Sequence, residues 1–234
     1  MISDRRAAKA KPDDLLSMLL GSRYEDGKPM SDQQIRDEIV TIMVAGHETT
    51  ANALSWTWYL LSRHRDVESR LVSEITDVLG GRTPAVYDLP KLRYTEMVFS
   101  EALRLYPPVW MLSRRALHSD TLPCGAEVTA GAQVIMIPYI AHRNEEYFPE
   151  PERFNPDRFD GVARNELPLC TYYPFSAGPR GCIGEAFARM EAMVIIAIIA
   201  QRFTFDLQAG DVVVPEPLLT LRPKNGLRVQ VRLR

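Results

Sequence analysis

The stretch SDQQIRDEIVTIMVAGHETTANALSWTWYLLSRH, Ser31 to His64, constrains this chain more than any other. Ser31 or Asp32 can cap a helix by accepting from a free backbone N–H. Ile35, Ile39, Ile42, Met43, Gly46, Thr50, Ala53 and Leu54 then recur at helical spacing. No proline interrupts Asp32 to Leu61, and such a helix is roughly 45 Å long at ~1.5 Å per residue. A helix of that length crosses a whole domain, so other elements must be arranged around it.

Those elements are legible in outline. A second helix is predicted from about Asp66 to Leu79, ending at Gly80-Gly81. A third runs from Tyr94 to Tyr106 and stops at Pro107-Pro108. Gly125, Gly131 and the alternation around Val134 to Ile137 predict short strands and turns. Prolines 149, 151 and 156 punctuate an irregular stretch. A helix is predicted after Cys182, to about Gln201. The tail reads as a hairpin turning at Asn225-Gly226, with Leu227, Val229, Val231 and Leu233 alternating. The fold class is therefore mainly α with small β-sheets.

Composition excludes several roles. A net charge of −2 leaves no broad nucleic-acid footprint. No glycine-rich nucleotide fingerprint occurs. Three cysteines, Cys124, Cys170 and Cys182, are too few and odd in number for a disulfide framework, and fit a reducing compartment. The N-terminus has no apolar leader region. The longest apolar run, Ala192 to Ala200, is too short to span a bilayer core of ~30 Å and reads as a buried helix. The expectation is a soluble, cytoplasmic protein with no membrane span in this chain and no nucleic-acid partner.

Chemistry concentrates in PFSAGPRGCIGEAFARME, Pro174 to Glu191. Phe175, Gly178, Arg180, Cys182 and Gly184 form F-x-x-G-x-R-x-C-x-G. Glycines let backbone approach a sulfur closely. A helix N-terminus just beyond Cys182, and Arg180 before it, favour a thiolate. Glu185 and Arg189 read as an ordinary i, i+4 surface pair. Glu101 and Arg104, three apart on one helix face, can also pair.

These residues resemble the cytochrome P-450 family of haem-thiolate monooxygenases. Four of its motifs occur in order: Ala45-Gly46-His47-Glu48-Thr49-Thr50, Glu101-Ala102-Leu103-Arg104, Pro151-Glu152-Arg153-Phe154 and the Cys182 loop. The resemblance implies the C-terminal part of that fold, with a long distal helix and a proximal cysteine loop. It implies haem b, with Cys182 as axial iron ligand, Phe175 packed over the sulfur, and Arg180 on a propionate. Arg114, or in another register its neighbour Arg115, would hold a second propionate. Ala45 would leave room for haem and O2, and Glu48 and Thr49 would deliver protons. His47 lies where the family varies and is not expected to bind iron.

The resemblance further implies a buried cluster of Glu101, Arg104 and Arg153. Val109, Trp110, Met111 and Leu112, with Leu218 and Leu219, would face a lipophilic substrate, although each also suits an ordinary core. Electrons would come from a separate ferredoxin, flavodoxin or diflavin reductase. Family members are longer, so residues 1–234 are expected to be one partial domain lacking the N-terminal half. Two alternatives stay open: a truncated, non-catalytic remnant with weak or no haem binding, and a helical interaction module with a redox-active thiol.

Overall fold

The computed structural model describes residues 2–8, 12–161 and 167–234. Contacts divide the chain into two compact units, Met1–Glu48 and Thr49–Arg234.

The first unit holds α1 (Ile2–Ala7), α2 (Leu15–Gly21) and the start of α3 (Asp32–Arg63). Asp14 caps α2 by accepting from the Ser17 N–H at 2.9 Å. Ser31 caps α3 as its sequence position suggests, its Oγ accepting from the Gln34 N–H at 3.1 Å. A small core of Leu16, Leu20 and Ile35 is supported by Ile2, Leu19, Met30 and Ile39. Beyond it Met43 of the predicted stripe is exposed, together with Val40 and Val44 beside it, whereas Ala53 of the stripe is buried. Val40, Met43 and Val44 are 49%, 64% and 54% exposed.

The second unit takes in the rest of α3, then α4 (Arg65–Leu79) and α5 (Arg93–Leu105). Gly80 ends α4 in the left-handed region at φ 57°, a conformation glycine adopts without a Cβ penalty. Four strands follow: β1 (Leu112–Arg115), β2 (Asp120–Thr121), β3 (Glu127–Val128) and β4 (Gln133–Met136). Then come α6 (Pro138–Ala141) and α7 (Glu185–Ala200). The chain finishes with β5 (Phe203–Leu207), β6 (Pro215–Pro217), β7 (Leu221–Pro223) and β8 (Val229–Leu233). Every sheet among the described residues is an antiparallel pair: β1–β4, β2–β3, β5–β8 and β6–β7. The class is mainly helical with small sheets.

The core forms where α5 is packed between α4 and α7. Val98, Phe99 and Leu103 of α5 meet Leu71 and Ile75 of α4 and Ala192, Ile196 and Ala197 of α7, all buried. The apolar run Ala192–Ala200 is thus a core face. The indole of Trp56 on α3 stacks on Tyr106 with centroids 4.1 Å apart, tying α3 to the end of α5.

The tail corrects the sequence reading. Leu221–Pro223 and Val229–Leu233 do not pair with each other. β7 pairs with β6, and β8 pairs with β5, Phe203 opposite Leu233. Prolines explain it. Pro223 has no N–H to give a ladder just before the Asn225-Gly226 turn, and β6 carries proline at both ends, so only short pairing is possible there. β5 offers five residues free of proline, and β8 takes the longer partner.

Candidate functional site

The cysteine loop is built by its own backbone. The Cys182 N–H donates to the Phe175 carbonyl at 2.9 Å, and the Ser176 N–H to the Tyr173 carbonyl at 2.9 Å. Ser176 and Gly178 both lie in the left-handed region, at φ 64° and 67°. That costs a serine more than a glycine, and such conformations persist where the surroundings impose them. A Cβ on Gly181 would stand 3.2 Å from the Gly178 carbonyl oxygen, and one on Gly184 would stand 3.8 Å from the Cys182 Sγ. The backbone approach is close at Gly181, and the loop delivers an exposed thiol three residues before α7 begins. Arg180 is exposed. Phe175 is half-buried, with the Arg189 guanidinium 5.0 Å from its ring centroid. Cys124 and Cys170 are also exposed, but neither follows such a loop.

The apolar candidates gather around one segment. The Trp110 Nε1–H donates to the Leu218 carbonyl at 2.9 Å, and the Leu221 N–H to the Pro108 carbonyl at 2.8 Å. From α3, Trp56 Nε1–H donates to the Leu221 carbonyl at 3.0 Å, and Asn52 Nδ2–H to Thr220 Oγ1 at 3.0 Å. Asn52 lies one turn beyond Thr49 on the same helix face. Leu218 and Leu219 are thereby held beside Val109 and Trp110, with the two leucines exposed. Met111 is exposed and Leu112 half-buried. Thr49 and Glu48 are half-buried, and Ala45 is exposed. Ala45 and Glu48 belong to the first unit, Thr49 and Cys182 to the second. Arg114 and Arg115 are exposed on β1, where successive side chains face opposite ways.

Below the loop sits a buried charge cluster. Arg104 Nε and Nη2 donate to the two carboxylate oxygens of Glu101 at 2.6 and 2.8 Å, with both side chains fully buried. Arg104 also donates to the carbonyls of His142, at 2.9 Å, and Arg153, at 3.2 Å. The Asn155 N–H donates to Glu101 Oε1 at 3.0 Å.

A family model described as Cytochrome P450 matches residues 2–231. The chain belongs to the cytochrome P450 family. It is 41% identical over its whole length to the protein called cytochrome P450 132 of Mycobacterium tuberculosis, covering 50% of that protein. It is 40% identical over 94% of its length to cyclooctatin synthase of Streptomyces melanosporofaciens, covering 48%. Over its whole length it is 36% identical to pentalenene oxygenase of Streptomyces avermitilis, covering 52%. The chain spans about half the length of the curated relatives it matches.

Within this cytochrome P450 the structure corrects one member of the buried cluster. The Arg153 side chain is 64% exposed and pairs with Glu150 at 3.0 Å; only its carbonyl reaches Arg104. The second arginine beside Glu101 is Arg158, 11% exposed, with Nε 3.3 Å from Glu101 Oε1 and Nη2 donating to the Glu150 carbonyl at 2.8 Å. The signal was in the sequence: P-[ED]-R-F occurs twice, at Pro151–Phe154 and Pro156–Phe159. The second copy opens with a short 3-10 turn, Pro156–Phe159, packed against α5, and this turn carries Arg158 inward.

Arg189 is a further correction. It does pair with Glu185, at 3.0 Å, but its side chain is only 18% exposed. It also donates to Glu96 Oε1 at 2.6 Å and to Ser100 Oγ at 3.2 Å. The Ser100 carbonyl in turn accepts from the Tyr172 hydroxyl at 2.9 Å, and burial pushes that phenol up to about 12, so it remains a neutral donor. Arg189 is therefore a bolt between α7, α5 and the floor of the cysteine loop. Nothing in the local i, i+4 spacing distinguished it from a solvated pair.

The donor set fits a haem iron. An exposed thiol on a closed loop, a helix N-terminus behind it and glycine at the one close approach, Gly181, suit a thiolate ligand.

Proposed function

We propose that this chain carries the iron-ligating part of a haem-thiolate monooxygenase that inserts one oxygen atom of O2 into a lipophilic organic substrate. The loop that presents Cys182 is the observation that carries the reading. Haem b, when bound, supplies the iron at which O2 is activated, and a thiolate ligand favours O–O cleavage. Cys182 holds that iron, with the α7 N-terminus and Arg180 stabilising its negative sulfur. Gly178 accommodates the left-handed turn of the loop, Gly184 leaves space beside the sulfur, and Phe175 lends the loop an apolar ring. Arg180 and Arg114 carry charge suited to the propionate carboxylates.

Thr49 would supply a hydroxyl and Glu48 a carboxylate able to hold and pass protons, and Ala45 keeps that part of α3 small. Val109, Trp110, Met111, Leu112, Leu218 and Leu219 exclude water and orient an apolar substrate. The names pentalenene oxygenase and cyclooctat-9-en-7-ol 5-monooxygenase among its relatives agree with an oxygen-inserting role. Electrons come from a ferredoxin, flavodoxin or diflavin reductase. No described helix is long and apolar enough to cross a membrane, in keeping with a cytoplasmic setting.

The test is a haem titration of the chain and of Cys182→Ser, followed by reduction under carbon monoxide. The native sequence should give the thiolate-type spectrum and the variant should not. An unchanged spectrum in Cys182→Ser would falsify the assignment.

A further inference from the structure

His142, at the end of α6, is buried completely. Its carbonyl accepts from Arg104 Nη1 at 2.9 Å. Its ring Nε2 lies 3.0 Å from the backbone nitrogen of Tyr173. An amide can only donate, so Nε2 must be the acceptor and the ring proton sits on Nδ1. Tyr173 roots the cysteine loop. Its carbonyl accepts from Ser176, and two residues on, the Phe175 carbonyl accepts from Cys182. One residue thus touches the buried Glu101–Arg104 pair with its backbone and the base of the loop with its ring.

We propose that His142 is a positioning residue that ties the cysteine loop to the buried charge cluster, through a neutral imidazole accepting from the Tyr173 N–H. The surroundings disfavour the charged form, while Nδ1–H has no partner among the described residues. The ring is packed between Tyr172 and Tyr173, with centroids 5.2 and 5.3 Å away. Burial, and then the positive charges of Arg104 and Arg143, lower its pKa to about 3. An imidazolium there would have no lone pair for Tyr173 and would face two arginines. The loop also needs an external anchor, because Ser176 is held at φ 64°. A serine placed there by its own preferences alone would relax.

The consequence for iron binding rests on Cys182 being the ligand, but the tether can be read without haem, so the two can fail separately. The experiment is amide hydrogen exchange on the full chain and on three variants. In His142→Gln the side-chain oxygen reaches the position of Nε2 and can accept from Tyr173. In His142→Asn it falls short. His142→Leu keeps bulk and removes every polar atom. Exchange at Tyr173 and Cys182 is compared with exchange at Val98, Phe99 and Leu103 of α5. Loss of one buried hydrogen bond should speed exchange at Tyr173 and Cys182 about five- to tenfold relative to α5 in the Asn and Leu variants. The Gln variant should stay within about threefold of the native chain. A uniform rise at all five amides would mean that His142 only fills space, and the proposal would fall. Equal behaviour of Gln and Asn would overturn it too, and that comparison stands even if the Leu variant does not fold.

Discussion

Cys182, Thr49, Arg158 and His142 carry the residue-scale predictions. In the haem-loaded enzyme Thr49→Ala should keep haem while diverting reducing equivalents to peroxide, measured as the ratio of peroxide to product. An unchanged ratio would remove Thr49 from proton delivery. Arg158→Ala should leave the buried Glu101 carboxylate with Arg104 as its only charged partner. Removing one partner of a buried pair costs about 3–5 kcal/mol, and the retained Arg104 bonds place this case at the lower end. Arg153→Ala should leave the urea midpoint where it is, since that side chain stands in solvent. A larger loss from Arg153 than from Arg158 would reverse the structural assignment. His142 predicts an acid limb. Its pKa is about 3 folded against an ordinary 6.5, so between those values the unfolded chain binds more protons. Stability therefore falls as pH drops below about 6.5, by up to ~1.4 kcal/mol per unit from this group. The groups facing it are Arg104, Arg143, Tyr172 and Tyr173, and burial raises both tyrosines. His142→Gln should flatten that limb in urea titrations run from pH 7 to pH 4.

Helix α7 shows what an element adds to its residues. Its apolar face against α5 followed from Ala192–Ala200 alone, because a run of that kind cannot face water. The polar bolt at its start did not, since Glu96 and Arg189 are far apart in sequence and only the packing of α5 on α7 brings them to 2.6 Å. Arg189→Leu should loosen the seam beside the cysteine loop, with a loss of about 1–2 kcal/mol from unmade hydrogen bonds. It should also raise the rate at which thiol reagents modify Cys182 relative to Cys124. Equal rates in both proteins would show that Arg189 does not support the loop.

At the scale of the whole molecule, α3 carries neighbouring exposed apolar side chains, Val40, Met43 and Val44, one turn apart. Contiguous apolar surface of a few hundred Å² marks an interaction site or an aggregation liability. The chain should therefore self-associate with rising concentration. Met43→Gln with Val44→Lys should reduce it in light scattering, without lowering the helical signal. A native chain that stays monomeric throughout would contradict this. Met43 of this patch stood at helical spacing in the sequence and Val40 and Val44 did not; spacing says only that a face wants cover.

The sequence alone settled what depends on neighbours along the chain. Ser31 caps α3 through a bond reaching only to Gln34, Gly80 ends α4 because left-handed backbone suits it, and the glycine and cysteine spacing of Pro174–Glu191 defines a closed loop. Tertiary structure decided every choice between equivalent candidates. Two P-[ED]-R-F segments could have offered an arginine to Glu101, and the one whose turn packs on α5 did so. Two strands could have paired with the tail, and proline left β5 the better ladder. His142 became a tether only because α6 and Tyr173 meet in the core. Local bonds are chosen by conformational preference within a few residues, whereas burial and long-range pairing compare segments that know nothing of each other until the chain has folded.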